Sequence, residues 1–289
     1  MESIESMQRK IRQAGDLGAV VKTMKAITAS NIGRYQKAVD ALEAYYQTIL
    51  SGIRVYLLHE QLFPSPPLSG GTTLFIVMGS DQGLVGPFNH AIAALSARSI
   101  RPVKERVEIW AVGERVEYLL KDAGLHVASV FHVPGSIQAV TTLTGRLLLE
   151  IEQLRAKAPL AAVYAIFNRP RKADDYVPVL RKLLPFDEEW QEKTRHRPWP
   201  SNRIPQIAGS PGTVFSALFR EYLFTALYRS CVFSLASENA SRLKAMQRAE
   251  KNIEELSGQM KTRYHQLRQD SIDTELFDIV AGFNAMRRS

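Results

Sequence analysis

The sequence has little of what would hold together a secreted protein or span a membrane. It contains one cysteine, Cys231, so neither an internal disulfide framework nor a multi-cysteine zinc site can form. That usage fits a reducing, intracellular setting. No run of about 20 apolar residues is free of charge, since even 215–236 contains Arg220, Glu221 and Arg229. The charged amino-terminus is unlike a signal peptide, so we expect another subunit to provide any membrane attachment.

Patterns typical of metal sites and active sites are also missing. The six histidines form no H-E-x-x-H pair, and no carboxylates accompany them at a metal-ligand spacing. No acidic residue is paired with a nucleophile in the sequence. We therefore predict no catalytic residue, no cofactor and no metal, and we expect His126 and His132 to lie on a strand.

The composition is that of a folded protein with a basic surface. With 289 residues, of which 45% are hydrophobic and 23% charged, the chain could form one large domain or two small ones. Lys and Arg number 37 against 29 Asp and Glu, a net charge of +8. Such a charge suits an acidic protein, a nucleic acid or an anionic membrane face as partner.

Two long segments without proline stand at the ends of the chain. The first runs from about residue 4 to 58, and its apolar residues recur every three or four positions, as on one face of a helix. The second runs from about 213 to 286, where steps averaging about 3.5 predict a left-handed supercoil with a partner helix. The predicted stripes include Met7, Ala14, Leu17, Val21, Ile27, Tyr35 and Tyr45 in the first segment, and Met246, Ile253, Leu256, Met260 and Leu267 in the second.

These end segments are expected to pack together as one antiparallel coiled coil. A helix of roughly 70 residues would be about 105 Å long, which suits a protein that spans distance or transmits force. The segment 62–71, with three prolines and two glycines, is expected to end the first helix. The predicted domains are 1–60 (amino-terminal helix), 72–190 (α/β domain) and 210–287 (carboxy-terminal helix).

The middle of the chain changes period. Strand-like runs occur at 73–78, 107–112, 127–133 and 161–167, with helix-like stretches at 89–98, 114–123 and 137–157 between them. This alternation predicts an inserted, Rossmann-like α/β domain with a largely parallel sheet. Residues 176–184, which include Pro178, are expected to add an edge strand, and 188–212 to form a basic, proline-rich loop.

Two other functions stay open from the residues alone. The segment 79–89 lies between a strand and a helix, where phosphate-binding loops are found, although it lacks the P-loop and G-x-G-x-x-G patterns. An enzyme seated on the α/β domain is therefore one alternative. The other is a coiled-coil adaptor that binds nucleic acid through basic residues on its helices, although no aromatic platform lies among them.

Four segments resemble the gamma subunits of F-type ATP synthases. Residues 11–36 are similar to that family's amino-terminal helix, with K-T-M-K at 22–25. Residues 80–89 match its S-D-R-G-L-C-G-G-F-N element at seven of ten positions. Residues 235–246 match its L-A-S-E-x-A-A-R-M-x-A-M element, and 268–282 fit its carboxy-terminal element. The matches cover both ends and the insert in the family's order.

The resemblance implies a noncatalytic central rotor shaft, with no nucleic acid and no small-molecule substrate of its own. The implied partners are alpha- and beta-type subunits around the coiled coil, an epsilon-type subunit and a membrane c-ring, at the cytoplasmic face of the membrane. Residues implied to couple rotor to stator are Met24, Lys25, Arg242, Arg268, Gln269 and Glu275. An apolar bearing tip would be formed by Ile279, Phe283 and Met286.

Overall fold

The computed structural model describes residues 3–59, 70–172, 175–186, 188–199, 201, 203 and 205–287. Within these residues the helices are α1 (Ile4–His59), α2 (Phe88–Ile100), α3 (Glu114–Asp122), α4 (Ile137–Lys157), α5 (Glu188–Arg195) and α6 (Pro211–Met286). The strands are β1 (Thr72–Met78), β2 (Val107–Val112), β3 (Ser129–Phe131), β4 (Leu160–Lys172) and β5 (Asp175–Leu184). The predicted fold class, long terminal helices around an α/β domain, is confirmed.

Packing divides the chain into two compact units. Unit 1 consists of Met1–Thr28 and Leu243–Ser289, and unit 2 of Ala29–Arg242. Helices α1 and α6 each contribute to both units. The predicted domains follow changes of secondary structure, whereas these units follow the proximity of backbone segments in space.

In unit 1, α1 and α6 run antiparallel. Gln8 Nε2 donates to Tyr264 Oη at 2.8 Å, and Lys25 forms an ion pair with Glu250. Between these contacts, a Cβ built at Gly18 would lie 3.5 Å from Ile253 Cγ2. Residue numbers fall on α6 as they rise on α1, which is the pairing expected of an antiparallel coiled coil.

On α1, the side chains that are buried in this helix pair recur every seven residues. On α1 of unit 1 the buried residues are Met7, Ala14, Val21 and Thr28. Such a period keeps one face towards the partner helix only if the helices wind around each other with a left-handed twist. The predicted stripe was therefore wrong at Leu17 and Ile27, which are exposed, because Gly18 and Thr28 take the positions beside the partner. Leu256 of α6 is exposed for the same reason.

The sheet of unit 2 has the order β3-β2-β1-β4-β5. Strands β1 to β4 pair in parallel, and β5 pairs antiparallel with β4 at the edge. Strand β1 is fully buried because it lies in the centre with helices on both faces. Pro178 is tolerated in β5 because an edge strand need not pair on both sides.

The two faces of β1 belong to different cores. Leu74, Ile76 and Met78 pack in a core that also contains residues of α1, α4 and α6. Phe75 and Val77 pack on the opposite face against α2 and α3. The alternation of side chains along a strand thus fixes which helices cover each face.

Some local predictions were wrong. A loop was expected at 188–212, but residues 188–195 form helix α5. The apolar contact of this helix comes from Trp190, which stacks on Phe186. His126 and His132 lie outside β3, which is shorter than predicted. Tyr45 of the predicted stripe is exposed, and its neighbour Tyr46 is buried instead. Of the segment expected to end the first helix, 62–69 lie outside the described residues.

A buried aromatic and arginine cluster joins three elements of unit 2. Tyr46 of α1 accepts a hydrogen bond from Arg181 of β5, and its ring lies near the guanidinium groups of Arg181 and Arg229. Tyr222 of α6 lies 6.0 Å from the Tyr46 ring, centroid to centroid. Glu43 pairs with Arg229 at 2.6 Å. We call these five residues the Tyr46 cluster.

Two glycines of unit 2 predict opposite effects of the same substitution. Gly33 lies inside α1 with no other atom within 4 Å of a built Cβ, so Gly33→Ala should raise the free energy of unfolding by about 1 kcal/mol. At Gly79 a Cβ would lie 2.3 Å from Val116 Cβ, so Gly79→Ala should lower it by about 1–3 kcal/mol. Denaturant unfolding followed by circular dichroism measures both. A gain at Gly79, or a loss at Gly33, would contradict this packing.

Candidate functional site

Two of the segments that carry the family resemblance contact each other inside unit 2. Ser241 Oγ of α6 donates to the Val85 carbonyl at 2.6 Å. Asn168 Nδ2 of β4 donates to the Phe88 carbonyl at 3.1 Å, and Ser237 Oγ donates to the Asn168 carbonyl at 3.0 Å. These hydrogen bonds attach α6 to the loop after β1, and we call them the joint.

The loop side of the joint is held by a reciprocal pair. The backbone N–H of Ser80 donates to Asn89 Oδ1 at 3.0 Å, and Asn89 Nδ2 donates to Ser80 Oγ at 2.8 Å. Both residues are buried, so each polar group needs the partner that the other supplies. Ser234 Oγ adds a bond from α6 to the Met78 carbonyl at 3.3 Å. The spacing of Ser234, Ser237 and Ser241 places all three on one face of α6.

Next to the joint lies a buried ion pair within α6. Arg242 donates to Glu238 at 2.6 Å, and their side chains are 19% and 6% exposed. Burial raises the pKa of Glu238, the Arg242 guanidinium lowers it, and the nearby Asp81 carboxylate raises it further. Glu238 Oε2 has no hydrogen-bond partner. Arg242, which the resemblance implies to be a stator contact, thus already neutralises a carboxylate of its own helix.

In the loop where a nucleotide phosphate would bind, a side chain of this protein already accepts the hydrogen bonds. At the carboxyl ends of the parallel strands, Asp81 Oδ1 accepts from the Glu114 N–H at 3.1 Å, and Asp81 Oδ2 accepts from the Val133 N–H at 3.0 Å. A phosphate at the amino-terminus of α3 would use the same N–H group. The carboxylate of Asp81 therefore occupies the place and supplies the charge that a phosphate would bring.

Two glycines at the base of this loop are closely packed. Gly113 has a φ of 117°, and a Cβ there would lie 2.7 Å from the Ser80 carbonyl oxygen. Gly79 approaches Val116 and Asn89 as closely. Gly113 thus permits contact between two backbone segments, and Gly79 permits contact with the side chains of Val116 and Asn89.

In unit 1 the predicted coupling residues Met24 and Lys25 are half-buried on α1. Lys25 pairs with Glu250 across the two helices, with side chains 36% and 23% exposed. A pair with that much solvent contributes little stability, so its main effect is to fix which residues of α1 and α6 face each other. Met24, the residue before Lys25, is likewise half-buried.

The remaining predicted coupling residues, Arg268, Gln269 and Glu275, are exposed on α6 of unit 1. They lie several turns beyond Glu250, so the structure does not bring them to Lys25. The predicted tip residues Ile279, Phe283 and Met286 are 71%, 61% and 77% exposed. Since Gln8 lies opposite Tyr264, α6 continues past the beginning of α1, and its apolar end has no α1 residues beside it.

Several residues of this site were missed in the sequence. Glu238 stands four positions before Arg242 in the matched segment, and that spacing alone predicts an ion pair on a helix. Glu250 could not be found this way, because its partner Lys25 lies at the other end of the chain. The hydrogen bonds of Asn168 and of the loop carbonyls also join segments that are distant in sequence, so no local pattern predicts them.

Metal-binding groups and membrane-crossing helices are absent from the part of the chain that the structure describes. There, no three His, Cys, Asp or Glu side chains are grouped so that they could hold a metal ion. None of the helices in that part combines the length and the apolar character that a bilayer crossing requires.

Known proteins match the chain from end to end. The sequence model of the ATP synthase family matches residues 3–286. The ATP synthase gamma chain of Geotalea daltonii is 27% identical over 99% of this chain and 100% of its own length. That of Lachnoclostridium phytofermentans is 25% identical over the same shares.

Solved structures agree in fold. A chain of the mitochondrial ATP synthase of Euglena gracilis (OSCP/F1/c-ring) matches with a TM-score of 0.67 at 17% identity, covering 98% of this chain and 94% of that one. A chain of the Tetrahymena thermophila mitochondrial ATP synthase, from its central stalk and c-ring, matches with a TM-score of 0.58 at 21% identity. This match covers 80% of this chain and 99% of that one.

Proposed function

We propose, since the chain belongs to the ATP synthase family, that it works as the gamma subunit, the central rotor shaft of a rotary F-type ATP synthase. The observation that carries this role is the antiparallel pairing of α1 and α6 in unit 1, from which an apolar end of α6 continues alone. Such a helix pair can be surrounded by other subunits. The chain itself is noncatalytic, and the catalytic sites lie on other subunits of the complex.

A shaft changes its neighbours only through contacts that differ between rotational states. Otherwise equivalent catalytic sites around it are forced into different conformations, because each meets a different side of the helix pair. Turning the shaft then shifts the nucleotide affinity of each site in sequence. The energy passes through side-chain contacts, so the exposed groups on the helix pair decide the coupling.

The partners follow from this role. Alpha- and beta-type subunits would surround the helix pair, and an epsilon-type subunit and a membrane c-ring would bind the rest. The net charge of +8 suits acidic neighbours. The chain would be held at the membrane by the complex, and we place it at the cytoplasmic face.

We assign rotor-stator contact to the exposed or half-exposed residues of unit 1. Met24, Arg268, Gln269 and Glu275 leave side-chain atoms accessible to a surrounding subunit. Lys25 and Arg242 differ from them, since each already has a carboxylate partner in this chain. For these two, we propose that a stator group competes with, or adds to, the internal ion pair.

Reconstitution tests the proposed function. Alpha- and beta-type subunits of the same complex, with and without this chain, are combined with the membrane part in vesicles, and ATP hydrolysis and ATP-driven ion uptake are measured. We expect uptake only when the chain is present. Uptake of equal size without it would exclude the rotor role, and micromolar ATP binding at the loop 79–89 would favour an enzyme.

The apolar tip yields a prediction of its own. Replacing Ile279, Phe283 and Met286 with Asp should leave the stability of the chain unchanged, because all three side chains are exposed. The affinity for the ring of alpha- and beta-type subunits should fall about tenfold or more, since buried apolar anchors dominate interfaces. Gln259→Asp, an exposed polar position of α6, is the control. Equal affinities for both variants would remove the bearing role.

A further inference from the structure

A cavity of about 290 Å³ in unit 2 lies between α1 and the amino-terminus of α4. It is lined by Asn31, Arg34, Tyr35, Gly135, Ser136, Ile137 and Gln138. Its volume is at the low end for small-molecule sites, which fits a small ion better than a whole nucleotide. The cavity is separate from the joint and from the loop filled by Asp81.

The α4 side of the cavity presents backbone donors. Ser136 is the N-cap, and its Oγ accepts from the Ala139 N–H at 3.2 Å. The N–H groups of Ile137 and Gln138 have no acceptor within the helix, as at any helix start. The first turn of this 21-residue helix carries no acidic side chain. Its positive dipole end therefore lacks a carboxylate from its own first turn.

The α1 side supplies a cation and a tyrosine hydroxyl. Arg34 is exposed and lines the cavity. Tyr35 lines it too, is only 4% exposed, and donates to no acceptor among the described residues. Burial and the Glu238 carboxylate raise the pKa of Tyr35, while Arg242 and Arg34 lower it. The hydroxyl thus stays protonated at neutral pH and is free to donate.

Of the described residues that line the cavity, Arg34 alone carries a charge. Glu238 is the carboxylate that acts on Tyr35, and Arg242 pairs with it at 2.6 Å. Arg34 then adds its charge to the α4 dipole. The Tyr35 hydroxyl makes no hydrogen bond with the described residues, so an anion in the cavity is able to accept from it.

We propose that this cavity binds a small phosphate-type anion, held by the Arg34 guanidinium, the Tyr35 hydroxyl and the first N–H groups of α4. A tetrahedral anion accepts from several directions at once, as these donors require. The source is free inorganic phosphate or the terminal phosphate of a nucleotide. The inference goes beyond the rotor function and is independent of it.

Calorimetric titration of the full-length chain with inorganic phosphate tests the proposal. We expect one site, weakened about tenfold by Arg34→Gln and about fivefold by Tyr35→Phe, as expected for loss of a charged and a neutral hydrogen bond. Arg12→Gln, an exposed arginine of α1 in unit 1, should bind like the unchanged chain. No heat up to roughly 10 mM phosphate, or equal affinity in all variants, would overturn the proposal.

Gln138→Glu separates loss of binding from loss of structure. A carboxylate in the first turn of α4 should raise the melting temperature slightly and abolish phosphate binding, because it neutralises the same dipole end. Retained phosphate affinity in this variant would contradict the site. A parallel titration with ADP identifies the source: ADP that displaces phosphate and shows the same variant pattern indicates a nucleotide phosphate, and phosphate binding without ADP binding indicates the free ion.

Discussion

Arg242→Met is expected to lower the free energy of unfolding by about 3–5 kcal/mol near pH 8, because it leaves the Glu238 carboxylate buried without a cation. Burial already raises the pKa of Glu238, and one of its two carboxylate oxygens has no hydrogen-bond partner. Methionine fills a similar volume, so the loss reflects charge more than packing. Denaturant unfolding of the full-length chain measures it.

The pH dependence of this loss identifies its cause. The pKa of Glu238 is raised in the folded chain, and removing Arg242 raises it further. A raised carboxyl pKa means that the folded state binds the proton more tightly, so this contribution to stability is present at acidic pH and is lost as pH rises through the folded pKa. The deficit of Arg242→Met relative to the unchanged chain should therefore shrink towards pH 5 and grow towards pH 8.

A double variant supplies the control. Glu238→Gln combined with Arg242→Met removes both charges, and it should recover most of the stability and lose the pH dependence. A double variant as unstable as the single one would contradict the ion-pair account. If Arg242 also contacts the stator, the double variant will be stable while ATP-driven ion uptake falls, which separates its two roles.

Tyr46→Leu is expected to have an effect of similar size, about 3–5 kcal/mol. The substitution removes the ring that lies 5.5 Å from the Arg181 guanidinium and 4.9 Å from that of Arg229. The Arg229 side chain is 20% exposed, and this burial lowers the pKa of its guanidinium. Both arginines would lose a neighbour that offsets the cost of burial.

The Tyr46 cluster also connects the long helices to the sheet, so coupling should suffer along with stability. Tyr46 belongs to α1, Arg181 to β5 and Tyr222 to α6. In the reconstituted complex, Tyr46→Leu should retain ATP hydrolysis and lose much of the ion uptake per ATP. Tyr46→Phe keeps the ring and removes only the hydroxyl, and should cost about 1 kcal/mol. Equal stability of the Leu and Phe variants would show that the ring is not the connecting group.

The sequence predicts the fold well where a pattern is long or a strand is central. The proline-free end segments became α1 and α6, and strand β2 begins and ends at the predicted residues, because periodicity over many turns or full burial leaves few alternatives. The stripe was wrong at Leu17 and Ile27 because hydrophobicity was taken to mark the contact. The contact follows a seven-residue geometry that accepts Gly18 and Thr28.

The functional residues were less predictable. The matched segments located Arg242 and Met24, but no pattern indicates that 80–89 and 235–246 contact each other through Ser241 and the Val85 carbonyl. The loop 79–89 looked open to phosphate because the position of the Asp81 side chain cannot be deduced from its neighbours in sequence. Its role depends on α3 and on Val133, which the fold brings from elsewhere.

Rotation of this chain inside the catalytic ring is the measurement that tests the account most directly. Burial raises the pKa of Cys231 to about 12, so a probe attached by maleimide will react with a cysteine placed at the exposed Tyr118 of α3 and leave Cys231 unmodified. With the ring fixed to a surface, the account predicts that the probe turns in one direction while ATP is hydrolysed and stops when ATP is exhausted. Full ATP hydrolysis with a probe that only fluctuates about one orientation would contradict it.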